Sequence, residues 1–201
     1  KLALIHNGII ENFAELKAEL LADHPETVFT SETDSEVAAH LVGYAFRETH
    51  DVTEALRSVV AKLHGAFTLL AMHQDQPGTV VGARRNSPLV IGLGDDENFL
   101  GSDVAAFVEH TRRAMAIGQD QLVTITADSI TVTDFDGNPV DSEEFEITWD
   151  AAAAEKGGWS SFMAKEISEE PEAIANTLLG RSVDGEVRLP ELEDDDERLA
   201  G

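Results

Sequence analysis

Apolar residues crowd Leu2 to His6, which predicts a short buried strand. They then recur at helical spacing at Ile10, Phe13, Leu16, Leu20 and Leu21, with Glu and Lys between them, so a strand is expected to lead through Asn7-Gly8 into an amphipathic helix. A second helix is expected near Thr33, where Thr33-x-x-Glu36 has the form of a capping box and Val37, Leu41, Tyr44 and Ala45 form an apolar stripe. Asp51 to His64 predicts a third, with Leu56, Val59, Val60 and Leu63 on one face and Gly65 as its stop.

Beyond Gly65 the pattern predicts strands at Ala66 to His73, Thr79 to Ala83, Leu89 to Leu93 and Phe99 to Gly101, separated by Pro77-Gly78, Asn86-Ser87-Pro88 and Gly94-Asp95 turns. A short helix at Val104 to Glu109 is followed by strand character at Ala114 to Ile117, Leu122 to Ala127 and Ile130 to Phe135. Asp136-Gly137 signals a hairpin, for which Glu143 to Thr148 is the expected returning strand. Helices followed by an antiparallel run predict an α+β fold. From about Asp150 the pattern breaks at Ala151 to Ala154 and Lys156-Gly157-Gly158, as a linker would. Phe162, Ile167, Ile174 and Leu178 then line helical turns, with Pro171 starting a second helix or kinking the first. The acidic end, Glu191 to Arg198, is expected to be solvated.

Composition narrows the chemistry. The 201 residues, 42% of them hydrophobic, suffice for one sizeable core and an appended segment. Thirty-nine acidic against 14 basic residues give a formal charge of −25, which repels nucleic acid and anionic membranes. The apolar runs fall short of the roughly 20 residues that span a bilayer, so neither a membrane partner nor secretion is expected. Without cysteine there are no disulfides or thiolate metal sites, and seven scattered histidines lack ligand-like spacing, so no metal site is expected. Lys1 stands first, and an apolar run begins at once. The chain reads as a fragment.

Two places carry candidate chemistry. Asn7-Gly8 after a strand reads, on its own, as a tight turn needing positive φ. Its chemical reading is that the Asn7 side-chain amide and the Gly8 backbone N–H converge as the two donors that hold the oxyanion of an acyl-transfer intermediate. Asp34 reads as a first-turn carboxylate favouring the helix dipole, or as the partner of an amino-acid substrate's α-ammonium. Glu32 and Glu36 are neighbouring carboxylates that spacing does not eliminate.

His6-Asn7-Gly8-Ile9-Ile10-Glu11-Asn12, Ser31-Glu32-Thr33-Asp34, Ser87-Pro88-Leu89-Val90-Ile91-Gly92, Ser102-Asp103 and Lys165-Glu166-Ile167 together resemble the glutamine–fructose-6-phosphate aminotransferase family. The resemblance implies an α+β fold: part of the αββα sandwich of the N-terminal-nucleophile hydrolases, as in class II glutamine amidotransferases. It also implies a glutaminase domain over residues 1–149, its N-terminal part missing, and a linker with the opening helices of a sugar-isomerising domain over 150–201. In such enzymes a cysteine thiolate attacks the glutamine side-chain amide, and the ammonia passes to fructose 6-phosphate in the other domain, yielding glucosamine 6-phosphate and glutamate. By position, Asn7 and Gly8 match the family's oxyanion hole and Asp34 its contact to the glutamine α-amino group.

The resemblance further implies a cytoplasmic, homo-oligomeric full-length protein of amino-sugar biosynthesis that needs no cofactor for amide hydrolysis. The chain departs from the family at Ser161, where histidine is usual, and at Glu169-Glu170-Pro171, where Glu-Gln-Pro is common. Lys165 and Glu166 read as a solvated helix face or a docking ion pair. Lacking a cysteine, the chain alone is expected to be inactive. Two other readings remain open: the glutaminase part of an amidophosphoribosyltransferase or asparagine synthetase, and a non-catalytic binding module.

Overall fold

In the computed structural model, residues 1–148, 159–178, 181–183 and 186–187 are described. They fall in two compact units, Lys1–Trp149 and Asp150–Gly201. The first unit opens with β1 (Leu2–Ile10), followed by helices α1 (Phe13–Asp23), α2 (Asp34–Thr49) and α3 (Val52–Val60). Strands β2 (Gly65–His73), β3 (Val80–Arg85), β4 (Val90–Leu93) and β5 (Asn98–Gly101) come next. A 3-10 turn at Val104–Ala106 leads to β6 (Arg113–Ala116), β7 (Gln121–Ile125), β8 (Ile130–Asp134) and β9 (Glu144–Glu146).

Every named strand pair is antiparallel, in a five-stranded sheet ordered β1-β2-β3-β7-β8 and a four-stranded sheet ordered β5-β4-β6-β9. Alternation along the central strands creates two cores. Phe67, Leu69, Ala71, Val81 and Ala83 meet Val37, Val42, Leu56 and Val60 of the helices. Val123, Ile125 and Val132 face away from the helices, toward Leu89, Ile91 and Ile117. On the outer side of the second sheet, Gly92 leaves room for the Phe107 ring, which stacks on Phe99. Helices, sheet, sheet and a covering turn make the α+β sandwich that the sequence predicts.

Several local expectations are corrected. Asn7-Gly8 is not a turn: β1 runs through it in unbroken register with β2, from Leu2 opposite His73 to Ile10 opposite Gly65. Ile10 therefore ends a strand, and α1 starts at Phe13. The third helix stops at Val60, and Gly65, at φ +113, opens β2. In α2 the buried stripe is Val37, Ala38, Val42 and Phe46; of the predicted positions Val37 belongs to it, and Leu41 and Ala45 pack half-buried beside it. The helix expected at Val104 to Glu109 is a single 3-10 turn capped by Asp103, whose Oδ1 accepts the Ala105 N–H at 2.7 Å. After Asp136-Gly137 the chain returns along β8 at once, Val140 N–H donating to Val132 O. Glu143 to Thr148 does not supply that return. Its central residues form β9 beside β6, where Arg113 makes a two-point ion pair with Glu144 and Ile147 is buried.

The second unit holds α4 (Phe162–Leu178), with Pro171 inside one continuous helix, and the short pair β10 (Ser182–Val183) and β11 (Glu186–Val187). Lys165 Nζ lies 3.8 Å from Glu169 Oε1, one turn on along the same helix. Ile167, Ile174 and Leu178 are at least half exposed. The expected linker at 151–158 and the acidic tail at 191–198 lie outside the described residues.

Candidate active site

β1 is an edge strand of its sheet, and its alternation sets the site. Leu2, Leu4 and His6 turn toward the helices, whereas Ala3, Ile5, Asn7 and Ile9 are exposed on the other face. The Asn7 side chain is thus presented to solvent between Ile5 and Ile9, each 66% exposed, and takes no hydrogen-bond partner among the described residues. Gly8 has φ +132, in the region that favours glycine. A Cβ there would collide with the Ala66 carbonyl oxygen and come within 2.8 Å of Phe67 Cα. Its first requirement is therefore close approach to β2 itself.

The segment before α2 brings the second motif to this strand. Thr33 Oγ1 accepts the Glu36 N–H at 3.3 Å, as the capping pattern predicts, but the Glu36 carboxylate does not return to Thr33. It reaches further back, accepting from Thr30 N–H (2.8 Å), Thr30 hydroxyl (2.8 Å), Ser31 N–H (2.6 Å) and Ser31 hydroxyl (2.7 Å). Led by the Thr30 N–H, these donors hold the Glu36 carboxyl down at about 2. Glu36 is thereby committed to the loop and eliminated as an ammonium partner, while Glu32 is exposed with no partner among the described residues.

Asp34, the first residue of α2, reaches the end of β1. Its Oδ2 accepts the Ile10 N–H at 2.9 Å, and its Oδ1 lies 3.3 Å from Ser35 Oγ and 3.4 Å from His6 Nδ1. Glu11 N–H donates to His64 O on the β2 side, so Ile10 N–H faces the opposite, open edge of β1. Burial pushes the Asp34 carboxyl up, but the Ile10 N–H, the neighbouring His6 and the Ser35 groups together bring it below its ordinary value. A carboxylate 19% exposed at an open strand edge can hold a cation. Asp34 thus touches the residues on both sides of Asn7-Gly8, although the Asn7 side chain leaves on the opposite face.

His6 was not among the residues picked out as chemical from the sequence, yet its ring is 2% exposed and set against Asp34 and Ser35. The signal was available: after Leu2 and Leu4, an inward position should be apolar, and a histidine there needs a reason. The rest of the motif is structural. Asn12 Nδ2 donates to Lys62 O and its Oδ1 accepts the His64 N–H, both at 2.9 Å, which clips the start of α1 to the corner before β2. Pro88 O accepts the Thr68 hydroxyl, fixing the Ser87-Pro88 turn to the first sheet. Among the described residues no group of side chains could hold a metal ion, and no helix is long and apolar enough to cross a membrane.

Comparison with known proteins gives the arrangement a family. A glutamine–fructose-6-phosphate aminotransferase (isomerizing) of Leifsonia xyli subsp. xyli is 68% identical over 193 residues, covering 96% of this chain and 31% of the relative. Its counterpart in Mycolicibacterium paratuberculosis is 53% identical over 206 residues, covering 99% and 33%. The chain thus spans about a third of the length of these curated relatives. Among solved structures, a glutamine phosphoribosylpyrophosphate amidotransferase from B. subtilis matches with a TM-score of 0.57 at 26% identity, over 69% of this chain and 30% of that one. The α+β sandwich is that of the N-terminal-nucleophile amidotransferases. Residues 1–109, carrying β1, the three helices and the Asn7-Gly8 and Asp34 positions, match the glutamine amidotransferase domain, and the chain belongs to that family.

Proposed function

We propose that the chain is part of an enzyme that takes the amide nitrogen of glutamine and transfers it to fructose 6-phosphate, giving glucosamine 6-phosphate and glutamate. Residues 1–149 serve the glutaminase reaction, and 150–201 lead into the sugar-isomerising part. The observation that carries the reading is the meeting of two motifs: Asp34 contacts His6 and Ile10, on either side of Asn7-Gly8. The identity to aminotransferases across nearly the whole chain favours fructose 6-phosphate over a phosphoribosyl acceptor.

In this reading the Asp34 carboxylate binds the α-ammonium of glutamine. The Asn7 amide and Gly8 N–H donate to the oxygen that becomes negative when a thiolate attacks the side-chain carbonyl. Ammonia leaves and water then releases glutamate. The sequence has no cysteine, so the nucleophile belongs to residues other than these, and the exposed Ile5 and Ile9 faces beside Asn7 are where such residues would pack. The full protein is a cytoplasmic homo-oligomer with no cofactor in the amide step.

The test is to express the complete reading frame and measure glutamate release and glucosamine 6-phosphate formation from glutamine and fructose 6-phosphate. Formation of both products is expected. Glutamine-dependent amination of phosphoribosyl pyrophosphate or aspartate instead would replace the acceptor. Absence of glutaminase activity would leave a binding module.

A further inference from the structure

The buried imidazole of His6 is the polar group to which the reading above gives no task. Its two nitrogens have unlike surroundings. Nδ1 lies 3.0 Å from Ser35 Oγ and 3.4 Å from Asp34 Oδ1, whereas Nε2 is buried with no partner among the described residues. A ring retained for packing alone would be better replaced by an apolar side chain of similar volume, because a buried unpaired nitrogen is destabilising. The gain from a histidine is therefore at Nδ1.

With a proton on Nδ1 the ring donates toward Ser35 Oγ, and the Ser35 hydroxyl in turn donates to Asp34 Oδ1 at 3.3 Å. Ile10 N–H holds the other carboxylate oxygen. Both oxygens are fixed, yet each keeps a lone pair for a further donor. We infer that His6 is a positioning residue: through Nδ1 and Ser35 it holds the Asp34 carboxylate against β1 in the orientation that receives the substrate's α-ammonium. This rests on the assignment of Asp34 to that ammonium. Because His6 immediately precedes Asn7, one strand carries both the residue that fixes the ammonium contact and, in Asn7 and Gly8, the oxyanion donors.

The complete enzyme carrying these residues tests the inference with two substrates, L-glutamine and glutaramate, which has the same side-chain amide and lacks the α-amino group. His6→Leu is expected to raise the KM for glutamine about tenfold, to hold kcat within about twofold, and to leave glutaramate hydrolysis unchanged. Equal losses on both substrates would make His6 merely structural and overturn the inference. Should His6→Leu fail to fold, a second pair decides. His6→Asn places an amide near the Nδ1 position and keeps the glutamine KM, whereas His6→Gln places it near Nε2 and raises the KM; the reverse order overturns the inference. Asp34→Asn separates the two levels. An unchanged KM in that variant removes the Asp34 assignment itself, while a raised KM there beside an unchanged one in His6→Leu removes His6 alone.

Discussion

The Asp34 carboxylate accepts the Ile10 backbone N–H at 2.9 Å, tying the start of α2 to the end of β1 across 24 residues of chain. Two substitutions separate this structural bond from ligand binding. Asp34→Asn keeps an oxygen for Ile10 N–H but removes the charge, so in the complete enzyme the glutamine KM should rise about tenfold while thermal stability is retained. Asp34→Ala also orphans the Ile10 N–H and should lose a further 1–3 kcal/mol, roughly the penalty for an unmet backbone donor. Calorimetry and steady-state kinetics on the pair read the two effects independently, and equal KM values for wild type and Asp34→Asn would return Asp34 to its helix-start role.

Asn7→Ala should behave in the opposite way. The Asn7 side chain is exposed and makes no bond that holds the fold among the described residues, so its removal should leave the melting temperature in place. Turnover of glutamine should fall about 10²-fold through loss of one oxyanion donor, with a small change in KM. Undiminished kcat in the variant would take Asn7 out of the mechanism.

What the sequence made legible were features set by local period or local chemistry. Most of the strands, the Thr33 cap and the order of helices before strands followed from spacing alone, whereas the Asp51 cap emerged only in the structure. The failures share a cause: a partner distant in the chain. Asn7-Gly8 looked like a turn because its positive-φ glycine serves elsewhere for turns, and only the pairing with β2 reveals a glycine demanded by the Ala66 and Phe67 backbone. Glu36 completed half a capping box, since Thr30 and Ser31 offered it four donors. Asn12 could not be understood without Lys62 and His64, and Glu144 was drawn from the predicted hairpin by Arg113 on another sheet. At the candidate site, the resemblance pointed to Asn7, Gly8 and Asp34, while His6 was legible only as a polar residue at an inward strand position, its Ser35 and Asp34 partners needing three dimensions.

Gly8 and Gly43 predict opposite responses to one added methyl. Gly8→Ala puts a Cβ against the β2 backbone at φ +132 and should destabilise by roughly 2 kcal/mol or more. Gly43 lies within α2 with open space where a Cβ would point, so Gly43→Ala should stabilise by about 0.5–1 kcal/mol. Calorimetric melting of the two variants should therefore move in opposite directions. A tolerated Gly8→Ala would show that β1 and β2 can separate at that point.

The loop before Asp34 carries its own pH dependence. Folded Glu36 titrates at about 2, against an ordinary value of 4.5, because Thr30 and Ser31 donate to its ionised form. A depressed carboxyl stabilises the folded loop fully above 4.5, and that contribution is lost as pH falls from 4.5 toward about 2. Hydrogen-exchange protection at the Thr30 and Ser31 amides should accordingly be high at pH 5 and decline through this window. In Glu36→Gln the same amides should be weakly protected throughout, with no step between the two values. Equal protection profiles in wild type and variant would show that the loop is held by something other than the Glu36 carboxylate, and that Asp34 does not depend on it for its place at the edge of β1.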